Sequence, residues 1–508
     1  MRDDQPSCSV ERLRDDRRYK RLRPSPPSDP IAHDSDRATR RSSTASRRGD
    51  ERNRPIRATV YARHGGGRPP VVGSLFETLL ERETNAPVRR GTDDADVELR
   101  LEDDPTDAVD DPEGYVLEAN ADAGTVTIRA ATADGLRHGC QTFVTGISRV
   151  DAGDGHEQWT LPACEIHDWP ESSWREFMLD PARGFFPVEQ VKRRIDQAAR
   201  AKYNRLHLHL LDDEGYALES AAYPKLNQDA DGTPRPAYSP EDIDELVTYA
   251  GDRGIDVVPE VDVPAHASHL LERYPELRCT VEDGDPADRT ICIGSEETVE
   301  FVETLLEEVI EQFPFEYVHV GGDEWEMQGY SWNECVDCQA KMAADGSETD
   351  TEHFYAFVRH LHDFLAQHDR RTIVWNDQID ISASPDLPRD LLIHFWRVAA
   401  PDRGPVEGCS LERFLEEGFD VINSYVHAAY VRGWITEDYM LGWASTRRPT
   451  VPDERASQVR GGGCSRGNRP TRRSGRTSSA PSRRRCQSSR IDSGTRRASR
   501  TGNPTRCR

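Results

Sequence analysis

From Trp174 onward the chain alternates short apolar runs with amphipathic ones, a pattern that few architectures accept. Seven strand-like runs occur at 175–180, 205–213, 256–262, 317–324, 371–377, 391–397 and 420–425. Between several of them lie stretches with a 3.6-residue period. Ser239 and Pro240 supply the N-cap and first turn of one such helix, whose buried face carries Ile243, Leu246, Val247 and Ala250. Another places Val299, Val302, Leu306, Val309 and Phe313 on one side. Strands separated by helical crossovers pair in parallel, and a series this long closes into a βα barrel. Such barrels carry their chemistry at the C-terminal strand ends. Each run here ends in polar or aromatic residues.

The expected fold class is therefore α/β: a (β/α)8-type TIM barrel preceded by a small α+β domain. Residues 58–165 form that small domain, with strands at 97–101, 115–119 and 125–130 and a helix over 135–147. Residues 1–57, rich in Arg, Ser, Pro and Asp, have no apolar periodicity and are expected to be disordered. The barrel spans 166–454 and is expected to be incomplete, because only seven strands can be counted. After Glu454 the composition turns abruptly to Arg, Ser, Gly, Pro and Thr, with no strand or helix to be read. The break is sudden and falls inside a domain. It therefore reads as out-of-frame translation of a GC-rich gene, in preference to an Arg-rich nucleic-acid tail over 455–508.

The fourth run closes on His319-Val-Gly-Gly-Asp-Glu-Trp325. Two glycines let the backbone turn sharply and leave room for a ligand. Two adjacent carboxylates, Asp323 and Glu324, then stand at the barrel mouth. Burial and a neighbouring like charge keep one of such a pair protonated near neutrality, as a general acid requires.

On these residues the chain resembles family-20 glycoside hydrolases, the β-N-acetylhexosaminidases. Several motifs carry the resemblance in order across roughly 95–450. In the small domain they are Pro112-Glu-Gly-Tyr115 and Gly135–Phe143. In the barrel they are Trp174–Asp180 with Ala182-Arg183 and Phe185-Phe186, then Asn204–Asp213, Pro259–His266 and the segment ending at Trp325. The resemblance implies an exo-acting, retaining enzyme with substrate-assisted catalysis, an exception to the usual two-carboxylate scheme. Glu324 would protonate the leaving oxygen and then activate water. The substrate's 2-acetamido oxygen would attack the anomeric carbon to form an oxazolinium ion, with Asp323 holding the acetamido N–H. Tyr430 would bind the acetamido oxygen, and Trp375, Trp396 and Trp443 would wall the pocket. Arg175 would grip sugar hydroxyls. Asp212 or Asp213 with His266 would form a relay behind Glu324. For the tryptophans core packing is the alternative, and for the two aspartates a strand-end cap.

Glu176 and Ala265 stand where the family usually has glycine, and Arg432 where it commonly has aspartate. Arg432 suggests a pocket that accepts an anionic substituent on the sugar. A closing Trp-x-Glu segment is absent after Glu454. Two other readings remain: a sugar-binding protein without turnover, and a metal-dependent hydrolase built on His207, His209, His266, His319 and His394. The resemblance itself implies a carbohydrate partner and no cofactor or metal. Cys335 and Cys338 form one CxxC pair without a second, which points only weakly to zinc and reads in preference as a local thiol pair in a loop. No apolar run reaches the length of a membrane span. The Arg pairs at 40–41 and 47–48 lack a following signal core, so as written the chain is expected in the cytoplasm.

Charge separates the segments sharply. Residues 58–455 hold 35 Lys+Arg against 80 Asp+Glu, a net charge of −45, and only five lysines occur in the whole chain. A folded core this acidic repels itself unless salt screens it, over a Debye length of roughly 3 Å at 1 M. The composition points to a saline cytoplasm or medium. The melting temperature is expected to climb from low salt to molar KCl; equal stability at both ends of such a titration would refute the reading.

Overall fold

The computed structural model describes residues 57–62, 70–85, 87–90, 95–102, 111–151, 157–281, 287–325, 332–381, 387–397, 410–425, 459–461 and 464–467. The segment 1–57 expected to be disordered lies outside these residues except for Arg57, which opens a strand. The small domain is a six-stranded sheet in the order 89–90, 57–62, 97–101, 125–130, 115–120, 164–168. Helices Pro70–Thr84 and Ala133–Gly146 accompany it. Thr132 caps the second helix by accepting from the Gly135 amide. Gly135 is required there, because a Cβ would lie 2.2 Å from the Gly114 carbonyl oxygen. The sequence reading found the inner strands and this helix but missed the outer strands and the first helix.

All seven barrel strands are present and parallel. They are β1 (Glu176–Asp180), β2 (Arg205–His209), β3 (Asp256–Val263), β4 (Tyr317–Gly321), β5 (Arg371–Trp375), β6 (Leu392–Phe395) and β7 (Asp420–Asn423). Helices α1 (Val188–Arg200), α2 (Pro240–Gly251), α3 (Ser268–Arg273), α4 (Glu296–Gln312), α5 (Val336–Asp345), α6 (Asp350–Gln367) and α7 (Leu411–Glu416) lie between them. Helix α2 begins as the sequence predicts, on a Ser239/Asp242 capping box. Its residues Ile243, Leu246 and Ala250 are buried, while Val247 is half-buried.

Beyond Glu454 the structure departs from expectation. Val459–Gly461 (β8) pairs in parallel with β7, and Cys464–Gly467 (β9) pairs in parallel with β1. Backbone pairing needs no hydrophobic pattern, so composition gave no sign of it. One stretch, 459–467, thus meets both edges of the seven-stranded sheet. It carries neither Trp nor Glu.

Side chains alternate across each strand, so every second residue faces the barrel axis. Trp174, Val258, Tyr317, Ile373, Leu392 and Ile422 form an apolar cluster at the N-terminal end. Two residues further along the same strands stand Glu176, Glu260, His319, Trp375 and His394, with His207 from β2, and all six are buried. Here charge is paired inside the barrel. His207 lies 3.3 Å from Glu176 and 3.0 Å from Glu260. His209 contacts Glu260 and lies 2.8 Å from Asp212. The indoles of Trp174 and Trp375 donate to Glu176 (3.0 Å) and Glu260 (2.7 Å). Burial opposes charge on His207, but Glu260 and Glu176 outweigh it and push its pKa up to about 9. The two carboxylates are thereby balanced by two imidazolium rings, with His394 held down to about 4 by burial.

Glu176, the departure from glycine, is one anchor of this layer. Removing one partner of a buried pair leaves an uncompensated charge. Glu176→Leu is therefore expected to cost about 3–5 kcal/mol in urea unfolding; a loss under about 1 kcal/mol would mean the pairing is dispensable.

Candidate active site

Two glycines let β4 end where it does. Gly321 and Gly322 have φ of +74° and +94°. A Cβ on Gly321 would lie 1.8 Å from Asp262 Oδ1, and one on Gly322 would lie 2.8 Å from Val374 Cγ2. The chain that follows presents Asp323 and Glu324 at the C-terminal mouth. Glu324 has φ +55° and His266 φ +52°, both in the left-handed region that non-glycine residues seldom occupy. Strain of this kind, held in place by surrounding packing, concentrates at functional sites.

His266 sits among four carboxylates. Its Nε2 is 3.5 Å from Glu324 Oε2 and 3.7 Å from Asp323 Oδ2. Its Nδ1 is 3.5 Å from both Asp212 and Asp213. Both aspartates therefore back the imidazole, where the sequence left the choice between them open. Each is anchored in turn: Asp213 accepts from Arg289 Nε at 2.9 Å and Ser268 Oγ at 2.7 Å, and Asp212 pairs with His209 and Arg183. Burial works against a charged His266, but Asp323, Asp262 and the two aspartates hold its pKa well above the usual histidine range.

The acid pair is split, though in the opposite sense to the one expected. Burial first, helped by Asp377, Glu324 and Glu260 and opposed by His266, raises Asp323 to about 7. Glu324 is held below the ordinary glutamate range, first by its contact with His266 and further by Arg397 and Arg183, against burial. Of the two, Asp323 is the acid whose protonated form these surroundings favour.

Arg397, Asp377 and Arg183 are parts of the site that sequence reading missed. Arg397 Nη1 lies 3.3 Å from Glu324 Oε1, and its Nη2 lies 2.5 Å from Asp377. Asp377 also accepts from the Glu324 amide (3.2 Å) and the Trp396 indole (2.9 Å). Asn376 fixes the neighbouring strand end through the Trp396 amide (2.8 Å) and the Arg397 carbonyl (2.8 Å). These residues occupy the strand-end positions just past Trp375 and Trp396, the one signal that could have exposed them.

Trp375 and Trp396 meet edge to face at 6.3 Å. Trp375 is 8% exposed and stacks on His394 at 4.1 Å, so core packing and a place beside the mouth are both realised. Trp396 remains half-buried under the Arg397 guanidinium at 4.3 Å. Tyr430, Arg432 and Trp443 lie outside the described residues.

Arg175 requires a correction. It precedes β1 at the end of the barrel away from the acids, one residue out of phase with the inward-facing Trp174 and Glu176. Its guanidinium pairs with Glu113 of the small domain and donates to the Lys202 (2.6 Å) and Ser172 (2.7 Å) carbonyls. It joins the two domains. The arginine at the mouth is Arg183, just beyond β1, 2.9 Å from Asp180 and paired with Asp212. His207, His319 and His394, three of the five histidines of the metal-hydrolase reading, are at most 1% exposed and sit in the layer that Trp375 packs against, so they offer no open position of the kind a catalytic metal keeps.

Comparison with known proteins decides the family. The catalytic-domain model of glycosyl hydrolase family 20 matches residues 172–448, and domain 2 of the same family matches 60–169. The chain belongs to glycosyl hydrolase family 20. Beta-hexosaminidases of Porphyromonas gingivalis and Akkermansia muciniphila are 32% and 33% identical over 289 and 297 residues. Those alignments cover 54% and 55% of this chain, and 37% and 60% of the relatives, so the chain spans less than two thirds of either. Among solved structures, the Bacteroides fragilis beta-N-acetylhexosaminidase superposes with a TM-score of 0.64 at 25% identity, over 81% of each chain. A mutant Streptomyces plicatus beta-hexosaminidase in complex with product GlcNAc gives 0.63 at 25% identity, over 82% of each.

In this family-20 site the raised carboxyl has a consequence for stability. Between the ordinary aspartate value of 3.8 and about 7, the folded chain holds a proton on Asp323 that the unfolded chain has released. Stability contributed by this group therefore falls as pH rises through that window. Asp323→Asn is expected to melt a few degrees above the parent at pH 8, the difference vanishing near pH 4. A variant that melts lower at pH 8 would show that Asp323 is not buried as an acid.

Proposed function

We propose that the chain is an exo-acting, retaining β-N-acetylhexosaminidase that hydrolyses terminal β-linked N-acetylglucosamine or N-acetylgalactosamine by substrate-assisted catalysis. The observation that carries this reading is His266, set 3.5–3.7 Å from both members of the Asp323–Glu324 pair. The acid role needs the proton on Glu324, and the acetamido-holding role needs Asp323 ionised. His266 contacts both, so it can pass the proton from Asp323 to Glu324 when a sugar enters. A sugar oxygen arriving at Glu324 would loosen its pairing with Arg397 and favour the protonated acid. Asp323, left anionic beside the acetamido N–H, would then balance the charge of the oxazolinium ion. Glu324 would finally take a proton from the attacking water, and passage of a proton back through His266 to Asp323 would return the pair to its starting state.

Arg183 and Trp396, both half-buried, would meet a sugar held at Glu324. With Tyr430 and Trp443 they are proposed to form the wall of the pocket, the indole faces suiting the C–H faces of a pyranose. Arg432 is proposed to admit an anionic substituent. Among the described residues no helix is long and apolar enough to cross a membrane.

A second reading, sugar binding without turnover, draws on the contacts with His266 and Arg397 that favour an ionised Glu324. A chromogenic N-acetyl-β-glucosaminide separates the two. Turnover is expected, together with near-complete loss of activity on the matching β-glucoside, which lacks the acetamido group. Glu324→Gln is expected to lower kcat by about 10²–10⁴. Saturable binding of the N-acetylglucosaminide without release of chromophore would install the second reading instead.

A further inference from the structure

The CxxC pair does not stand alone, which corrects its reading as a local thiol pair. Cys279 and Cys292, both from the segment between β3 and α4, meet Cys335 and Cys338 at the start of α5. All four are at most 3% exposed, and their sulfur atoms lie within 4.8 Å of one another. The closer separations are 3.6 Å for Cys292–Cys335, 3.6 Å for Cys292–Cys338 and 3.9 Å for Cys279–Cys338. A disulfide brings its sulfurs to about 2.05 Å, so none of these pairs is bonded. Zinc bound to four thiolates at about 2.3 Å sets the sulfurs about 3.8 Å apart at the corners of a tetrahedron. The observed spacing matches the metal and not the bond.

The backbone is shaped around this convergence. Gly294 lies against the CxxC turn so closely that a Cβ would fall 2.3 Å from Cys338 Cα. The Val336 amide donates to the Thr280 carbonyl at 3.0 Å, and the Cys292 amide to the Leu277 carbonyl at 2.9 Å. Cys335 occupies the N-cap position of α5 and Cys338 lies in its first turn, where free amides and the helix dipole favour thiolates. Four buried thiols left protonated would spend that arrangement on weak S–H contacts.

We propose that Cys279, Cys292, Cys335 and Cys338 bind one zinc ion as a closed structural site, their thiol protons passing to solvent as the ion binds. The site ties together two barrel loops that carry the acid machinery. On one side Trp332 stacks on Trp325, next to Glu324, at 4.6 Å, and donates to the Ile291 carbonyl at 3.3 Å. On the other, Ile291 donates to the Pro264 carbonyl at 3.0 Å, and Arg289 grips Asp213 behind His266. The ion would fix the distance between His266 and the acid pair without touching either.

Metal analysis of the full chain, produced under reducing conditions with zinc and then dialysed, is expected to give one zinc per chain. Cobalt substitution should produce thiolate-to-cobalt charge transfer and the strong visible bands of a tetrahedral S4 site. Zinc should be lost in Cys292→Ser and kept in Cys140→Ser, which alters a buried cysteine outside the cluster. Cys279→His should keep the metal with a shifted cobalt spectrum, a second test should the serine variant not fold. Three results overturn the proposal: less than about a tenth of an equivalent of zinc with all thiols reduced, disulfides among these four cysteines by non-reducing mass mapping, or iron in place of zinc.

Discussion

The structure depends on charge neutralised inside a barrel that most sequences would fill with aliphatic side chains. Glu176 and Glu260 lie at or below 1% exposure, which no isolated carboxylate tolerates. They are tolerated because His207 bridges both and His209 holds the second, while two indoles donate to the remaining oxygens. This layer sets the floor beneath the mouth. It fixes Trp375 from below through Glu260, and it fixes Asp212 through His209, so the core pairing and the site geometry form one network.

Above that floor, the site works by giving neighbouring acids unlike surroundings. Asp323 faces buried carboxylates, including Asp262, which burial and Asp323 together hold well above the aspartate range. Glu324 faces His266 and Arg397. Adjacent in sequence, the two residues project into opposite electrostatic fields because the chain turns through a left-handed conformation at Glu324. The cost of such a backbone is met by packing at Gly321 and Gly322, where no side chain would fit. Stability and reactivity pull against each other here, as is common where an acid must be kept from water.

Much of the site was legible because its residues occupy strand ends in chain order: His266 after β3, Asp323 and Glu324 after β4, Trp375 as the last residue of β5 and Trp396 just after β6. Arg175 misled because it belongs to the right motif at the wrong end of the strand. Strand phase, already implicit in the alternation, turns its side chain outward toward Glu113. Arg397 and Asp377 escaped notice because nothing local distinguishes them from any polar strand end; only the lateral pairing of β5 and β6 brings both to Glu324. The short strands 459–461 and 464–467 escaped for another reason: their pairing is made by backbone, to which composition is blind.

The sequence by itself determined the periodic alternation that forces a parallel barrel, the glycines that let β4 turn, and the acid pair at its end. These are local properties, set by side-chain period and backbone conformation. Tertiary structure decided which acid keeps the proton, since that depends on neighbours from four other strands. It also decided that four cysteines, separated by as many as 59 residues in sequence, share one buried point. Such long-range convergence follows from how crossovers pack around the sheet, and no spacing along the chain encodes it.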